Sequence, residues 1–544
     1  MKHITIPLAL LTVVLLSGGC RGGAYHKNET HAQVSDQSIA RGAVLAVTYC
    51  GSCHQLPTPD LLDSRSWENG VLPQMGPRLG IFQYRNRRYP NNIGDPNVGR
   101  GAYPDSAQLS VEDWGAIIDY YTALSPDSLP SQQRDEALRP DTASFRVEDA
   151  VRGGGAGAIP GVPGGVGGGA GGALQAAAMT PPATCFIRYE PGLHKILTSD
   201  VIAHTLESWD STLRSADSYL IGGSVVDIAQ DSAGYLVCNI GPFGPNNAPA
   251  GHIDQLGVPL HVAASGRPLP VVYDSLLRPV NIAAADLNGD GRQDMVVSEF
   301  GFIKGELAWL ENKGGGRYEK HVLRSLPGAI RVVIQDYNHD GLPDIWALFA
   351  QGDECIMLYT NQGKGQFSGE QVLRWPPSYG SSYFELADLN KDGYPDIVYT
   401  CGDNGDYSTV LKPYHGVYIY LNDGHGHFAR RYFFPMNGCY RAMARDFDGD
   451  GDLDIACIAY FADYRRQPEE GFVYLENGGG FQFHPHSIPG TERGRWITMD
   501  IADTDGDGKP DILLANCSVG PGFMTGTTDW KKGPPFVVLH NRMR

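Results

Sequence analysis

A chain of 544 residues is longer than one ordinary domain, and its 69 glycines, 37 prolines and 19% charged residues describe a turn-rich, mostly β protein of two or more units. Its formal charge of −18 argues against nucleic acid and anionic lipid surfaces as partners.

The chain starts Met1-Lys2-His3, runs through apolar residues from Ile4 to Leu16 and reaches Ser17-Gly18-Gly19 before Cys20. A basic start, a short apolar run and small residues are the order of an export signal, expected here over residues 1–19, and the run is too short for a permanent span. The segment resembles a bacterial lipobox, with Ser17 standing where that motif prefers leucine. The resemblance implies lipidation of Cys20 and a place in a bacterial cell envelope, on the periplasmic side of the outer membrane or on the cell surface. No other run approaches transmembrane length, so membrane attachment would be through lipid alone.

Tyr49-Cys50-Gly51-Ser52-Cys53-His54 has the spacing of covalent haem attachment, in which Cys50 and Cys53 add to the vinyl groups and His54 reaches the iron. A zinc site would want a second ligand pair, and no second Cys-x-x-Cys occurs; a thioredoxin-type pair would want a surrounding βαβ pattern. Ser38 to Tyr49 reads as a helix running into the motif. A second helix starts at the Ser110/Asp113 capping box, carries Trp114, Ile117, Ile118 and Tyr121 at helical spacing and stops before Pro126. Between His54 and Met179 there is no other histidine and one methionine, Met75, in a proline-bounded loop, so Met75 is the candidate second iron ligand. Residues 36–128 resemble class I cytochromes c. Gly42, eight residues before Cys50, holds the place where the family's first and last helices cross, while Ala46 replaces its usual aromatic. The resemblance implies a small all-α haem domain with a raised potential suited to electron transfer.

From 144 to 183 the composition collapses into Gly, Ala and Pro, as in Gly153-Gly154-Gly155, which reads as a flexible linker.

The remaining residues, 184–544, carry an internal repeat. Its five copies are Asp286-x-Asn288-x-Asp290-Gly291-x-x-Asp294, Asp336-x-Asn338-x-Asp340-Gly341-x-x-Asp344, Asp388-x-Asn390-x-Asp392-Gly393-x-x-Asp396, Asp446-x-Asp448-x-Asp450-Gly451-x-x-Asp454 and Asp503-x-Asp505-x-Asp507-Gly508-x-x-Asp511. Oxygen donors at positions 1, 3, 5 and 9, with a glycine at 6 for the sharp turn, suit a hard cation such as calcium. No glutamate stands at position 12 and a strand rather than a helix comes next, so these are not EF-hands. Five bound dications would bring the charge from −18 to about −8.

Each loop lies between two apolar strands, a third strand ends at an Asn-Gly turn, as at Asn312, Asn361 and Asn422, and a fourth comes after it. Four short strands per repeat make a propeller blade. These residues resemble FG-GAP or VCBS repeats, which implies calcium and an all-β propeller and fixes no reaction. A degenerate copy at Asp227-x-Ala229-x-Asp231 adds a sixth blade without metal. Cys185 to His204 either completes the last blade or belongs to a seventh. Cys185, Cys238, Cys355, Cys401, Cys439, Cys457 and Cys517 have no pairing legible in the sequence.

Loops between second and third strands lie opposite the aspartate loops and carry Phe243, Asn246, Asp403, Asp406, Tyr414, His415, Tyr464 and Trp530. Inner-strand starts add Asn281, Arg331, Tyr383, Arg441, Arg495 and Trp496, and this rim is the expected binding face for a protein or glycan. The first reading is an electron carrier relaying single electrons to a redox partner protein, rather than an enzyme. The alternative is a propeller dehydrogenase oxidising a sugar or alcohol and passing electrons to its own haem.

Overall fold

The strand directly after each aspartate loop is buried at every residue: Asp294–Glu299, Asp344–Phe349, Asp396–Cys401, Asp454–Ala459 and Asp511–Asn516. A strand covered on both faces reads as an unbroken apolar run rather than an alternating one. Here the covers are the two neighbouring blades. Val296 and Leu307 of one blade pack on Ile345 and Ala347 of the next, and Trp346 and Leu348 pack in turn on Phe384 and Tyr399.

The computed structural model describes residues 25–152, 181–257, 269–405, 407–520 and 528–543. Cys20 and the expected signal lie outside them. Seven antiparallel sheets succeed one another in the chain, at 184–220, 225–276, 279–324, 329–374, 381–435, 439–487 and 496–541. These are blades 1 to 7 of a β-propeller. Blade 7 draws three strands from the C-terminal repeat, and its fourth is Phe145–Asp149, antiparallel to Phe536–Asn541 with Phe145 opposite Asn541 and Val147 opposite Leu539. Among the described residues no disulfide forms, and the propeller cysteines are buried thiols.

In all seven blades a register shift falls on the second residue of the innermost strand. Such a bulge kinks the strand and re-aims the side chains beyond it. Polar groups after the bulge then bond inner strand to inner strand around the axis. Arg188 of blade 1 pairs with Asp227 of blade 2 at 3.1 Å. Asp227 also accepts from Asn281 Nδ2 and, at 3.1 Å, from the Ile282 N–H of blade 3. Asn281 Oδ1 accepts the Val332 N–H of blade 4 (2.6 Å), and Arg331 donates to the Phe384 carbonyl of blade 5 (2.7 Å). Glu385 accepts the Ala444 N–H of blade 6 (2.8 Å), Arg441 donates to the Met499 carbonyl of blade 7 (2.8 Å), and Asp500 accepts the Tyr189 N–H of blade 1 (2.8 Å). The ring is closed.

The expected fold class, a small all-α cytochrome c domain followed by a propeller of six to seven blades, is corrected in its first half. Of the two blade counts left open the propeller takes seven, because 184–220 forms a complete sheet of its own. The N-terminal part is no separate all-α domain. Its two longer helices, Asp36–Tyr49 and Val111–Leu124, are joined by helical turns of three to five residues and a short hairpin, Gln83–Tyr84 with Arg87–Arg88. These pack on the propeller, and the chain continues along blade 6, where Arg139–Pro140 adds a parallel strand, into the outer strand of blade 7. The physical reason is alternation: Phe145 and Val147 of a short strand turn inward, and Phe145 meets Phe447 and Tyr474 edge to face. Of the Gly/Ala/Pro stretch expected as a linker, 153–180 lies outside the described residues. It is flanked by a strand of blade 7 on one side and the first strand of blade 1 on the other.

Replacing Asp227 by Ala removes the acceptor shared by three blades and leaves Arg188 and Asn281 without it. Urea unfolding is expected to show a loss of about 3 kcal/mol; a loss below about 0.5 kcal/mol would mean that the ring does not hold the blades.

Candidate functional site

Ser35 caps the first helix, its hydroxyl accepting the Ser38 N–H at 3.1 Å, and the helix delivers Cys50 at its C-terminal end. A helix C-terminus opposes a thiolate, and burial pushes the Cys50 thiol up to about 11. That is the reverse of an activated redox cysteine. Cys53 is exposed. His54 Nδ1 lies 3.0 Å from the Gln55 carbonyl, and burial lowers the imidazole's pKa. With Nδ1–H held by that carbonyl, a neutral ring offers Nε2 as a metal ligand.

Gly42 lies where the two helices cross, and a Cβ there would collide with the Ala116 carbonyl oxygen. Trp114, Ile117 and Tyr121 from the second helix, whose start is capped by Ser110 to the Asp113 N–H at 3.0 Å, build the core beneath. Met75, half-buried, and Cys50 both pack against that core together with Leu56 and Val71. The structure therefore brings Cys50, the first residue of the attachment motif, and Met75 to one apolar cluster, whereas Cys53 and His54 lie outside it. Gly42→Val should force the helices apart, and limited proteolysis should then cut within 36–124 while the propeller stays intact. Unchanged protection would show that the close crossing is dispensable.

This segment sits on the rim expected as a binding face. Tyr414 donates to the Leu61 carbonyl at 2.9 Å, Val410 enters the core cluster around Met75, and Gly70 lies against the Tyr407 carbonyl. Asn247 donates to Asp95 at 2.9 Å, Gln132 to the His415 carbonyl at 2.7 Å, and Arg134 pairs with the buried Glu470. Asp353 and Arg374 of blade 4 are near enough to bias the His54 charge in opposite senses. Several rim residues are structural: His415 and Tyr464 are buried, and Arg495 lies over the Tyr460 ring and donates to its carbonyl. Asp406 lies outside the described residues.

On the opposite face, the first aspartate of each loop gathers backbone N–H groups, as Asp286 does from Gly289 (2.8 Å), Asp290 (3.2 Å) and Gly291 (2.8 Å). The glycine at position 6 has positive φ in all five loops, and position 4 shares that conformation even where it is His339 or Lys391. Carboxylate oxygens of Asp446, Asp448 and Asp450 lie within 4.8 Å of one another, as do those of Asp503, Asp505 and Asp507. Converging like charges of this kind suit a divalent cation with oxygen ligands. The position-9 aspartates have a role that spacing did not reveal. Each is buried and accepts two backbone N–H groups, one from loop position 2 and one from the asparagine that ends the third strand, as Asp294 does from Leu287 (3.2 Å) and Asn312 (2.7 Å). The same pair recurs at Asp344, Asp396, Asp454 and Asp511. Burial, together with the nearby Asp448, pushes the Asp454 carboxyl up to about 6.

Adding calcium to metal-stripped protein should raise the thermal midpoint, since each site at a hundred times its Kd contributes about 2.7 kcal/mol. A midpoint indifferent to calcium would leave the loops as solvated turns.

The architecture and loops define a seven-bladed propeller with FG-GAP repeats. Residues 286–347, 336–399 and 446–514 match the FG-GAP-like repeat. The chain is similar to integrin alpha pat-2 of Caenorhabditis briggsae, 26% identical over 231 residues that make up 38% of this chain and 18% of the relative. It is also similar to integrin alpha-8 of Mus musculus, 27% identical over 153 residues (24% and 14%), and integrin alpha-PS5 of Drosophila melanogaster, 30% identical over 168 residues (25% and 16%). It thus spans less than a fifth of the length of these relatives. Among solved structures, BBS1N in complex with ARL6DN aligns with a TM-score of 0.39 at 11% identity, over 67% of this chain and 92% of that one. Saccharomyces cerevisiae Sqt1 aligns at 0.38 and 11%, over 66% and 95%.

Proposed function

We propose that this is an exported electron-transfer protein with one haem c attached through Cys50 and Cys53, its iron held by His54 and Met75. The haem would be carried on a calcium-stabilised propeller that docks a protein or glycan partner. The observation that carries the reading is the packing of Cys50, the first residue of the Cys50-x-x-Cys53-His54 motif, and of Met75 against one apolar cluster. The haem supplies one-electron redox chemistry. The chain's part would be to anchor it at the thiols of Cys50 and Cys53, to orient His54 through the Gln55 carbonyl, and to present the Met75 thioether, which favours reduced iron.

Tyr414, Val410 and Asn247 dock the segment on the propeller, so a haem carried there would move with the propeller and a redox partner would meet both together. The signal over 1–19 and Cys20 support export and lipid attachment to a bacterial envelope. Binding and electron relay, rather than turnover of a substrate, is the function these features favour.

Protein matured in cells that attach haem c should keep its haem absorbance after denaturation, and the Cys50→Ala/Cys53→Ala double variant should lose it. Met75→Ala should keep the covalent haem but lose the sulfur-to-iron charge-transfer band, with a lower midpoint potential. A wild-type chain that matures without haem would overturn the proposal.

A further inference from the structure

The five aspartate loops are not chemically equal. The residue before the asparagine that ends the third strand stands beside the loop, and it is Glu311, Thr360, Leu421 and Glu476 in blades 3 to 6 but His540 in blade 7. In blade 3 this neighbour does reach the loop: Glu311 accepts from Asn288, the position-3 residue, at 3.0 Å. In blade 7 the same place brings a nitrogen donor.

His540 Nδ1 is buried and lies 3.5 Å from Asp511 Oδ2, which also accepts from the Thr504 N–H and hydroxyl, and 3.7 Å from Asp505 Oδ2. Ligand atoms of Asp505, Asp511 and His540 all fall within 4.8 Å of one another. A ring nitrogen facing two carboxylates beyond hydrogen-bond length has the spacing of three ligands around one ion, since metal bonds of about 2.0–2.2 Å separate neighbouring donors by roughly 3–3.5 Å. The other ring nitrogen, Nε2, lies 3.4 Å from Glu148 of the strand Phe145–Asp149. A carboxylate behind a histidine is the arrangement that fixes the tautomer and strengthens the ring as a ligand. The cluster opens on a cleft of about 690 Å³ between blades 7 and 1, lined by Tyr189, His194, Asp503 and His540 among others, through which an ion can enter.

We propose that the blade 7 loop binds a borderline transition dication such as zinc, with His540 Nδ1 beside Asp505 and Asp511, in preference to calcium. Imidazole suits such ions, whereas calcium takes oxygen ligands. The proposal rests on the reading of the loops as cation sites, and it makes the metal site depend on the strand that the N-terminal segment lends to blade 7.

The test uses full-length, haem-loaded protein stripped of metal, then dialysed against excess calcium with one equivalent of zinc, with both metals counted by mass spectrometry. Wild type should retain one zinc per chain, with imidazole scattering at the zinc edge. His540→Leu should retain none while keeping calcium in the other loops, and His540→Gln provides the same comparison with a polar side chain if the leucine variant does not fold. Glu148→Gln should weaken zinc binding about 10- to 100-fold. Equal zinc in the wild type and the His540 variants, or calcium displacing zinc from the wild type, would overturn the proposal. A wild type that holds no calcium at all would instead overturn the reading of the loops.

Discussion

Seven blades can close into a propeller only if each innermost strand is held to the next, and here a ring of polar bonds around the axis does this. Its members differ from blade to blade: Arg188, Asp227, Asn281, Arg331, Glu385, Arg441 and Asp500. Half-buried near the axis, with Asp227 fully so, such groups cost free energy unless paired, so each constrains the angle and register of its neighbour. The last bond, from Tyr189 to Asp500, spans 311 residues of chain. The bulge shared by all seven inner strands is what lets one backbone pattern present such different side chains to the same ring.

A second layer of bonds works at the aspartate-loop face. The buried position-9 aspartate ties its loop to the third strand of its own blade, and the asparagine at the end of that strand reaches further, as Asn361 does to the Leu287 carbonyl and Asn541 to that of Phe447 in the preceding blades. The loops are thereby held open and convergent before any ion arrives, which lowers the ordering cost of binding one.

The face opposite is covered rather than free. The N-terminal helices occupy the rim through Tyr414, Val410 and Asn247, and the strand Phe145–Asp149 completes blade 7. The N-terminal helical segment is therefore fastened at both ends of its path, by loop contacts under the helices and by a strand in the sheet. The propeller is thus a support for that segment.

Several features were legible in the sequence because they are local. The Ser110 cap, the glycine at the helix crossing and the aspartate loops each declare themselves within about ten residues, where residue spacing and backbone conformation are set. His540 could have been noticed by aligning the residues before each terminal asparagine. The tertiary structure decided what depends on distant partners: that 184–220 is a whole blade, that blade 7 borrows Phe145–Asp149, and that the helical segment lies on the propeller. A five-residue strand of mixed polarity has no local mark of its partner, and the glycine-rich run beside it reads as a boundary between domains although both its flanks belong to adjoining blades. The ring at the axis was hidden for the same reason, since its residues share a position and not a type, and only closure of the propeller brings them together.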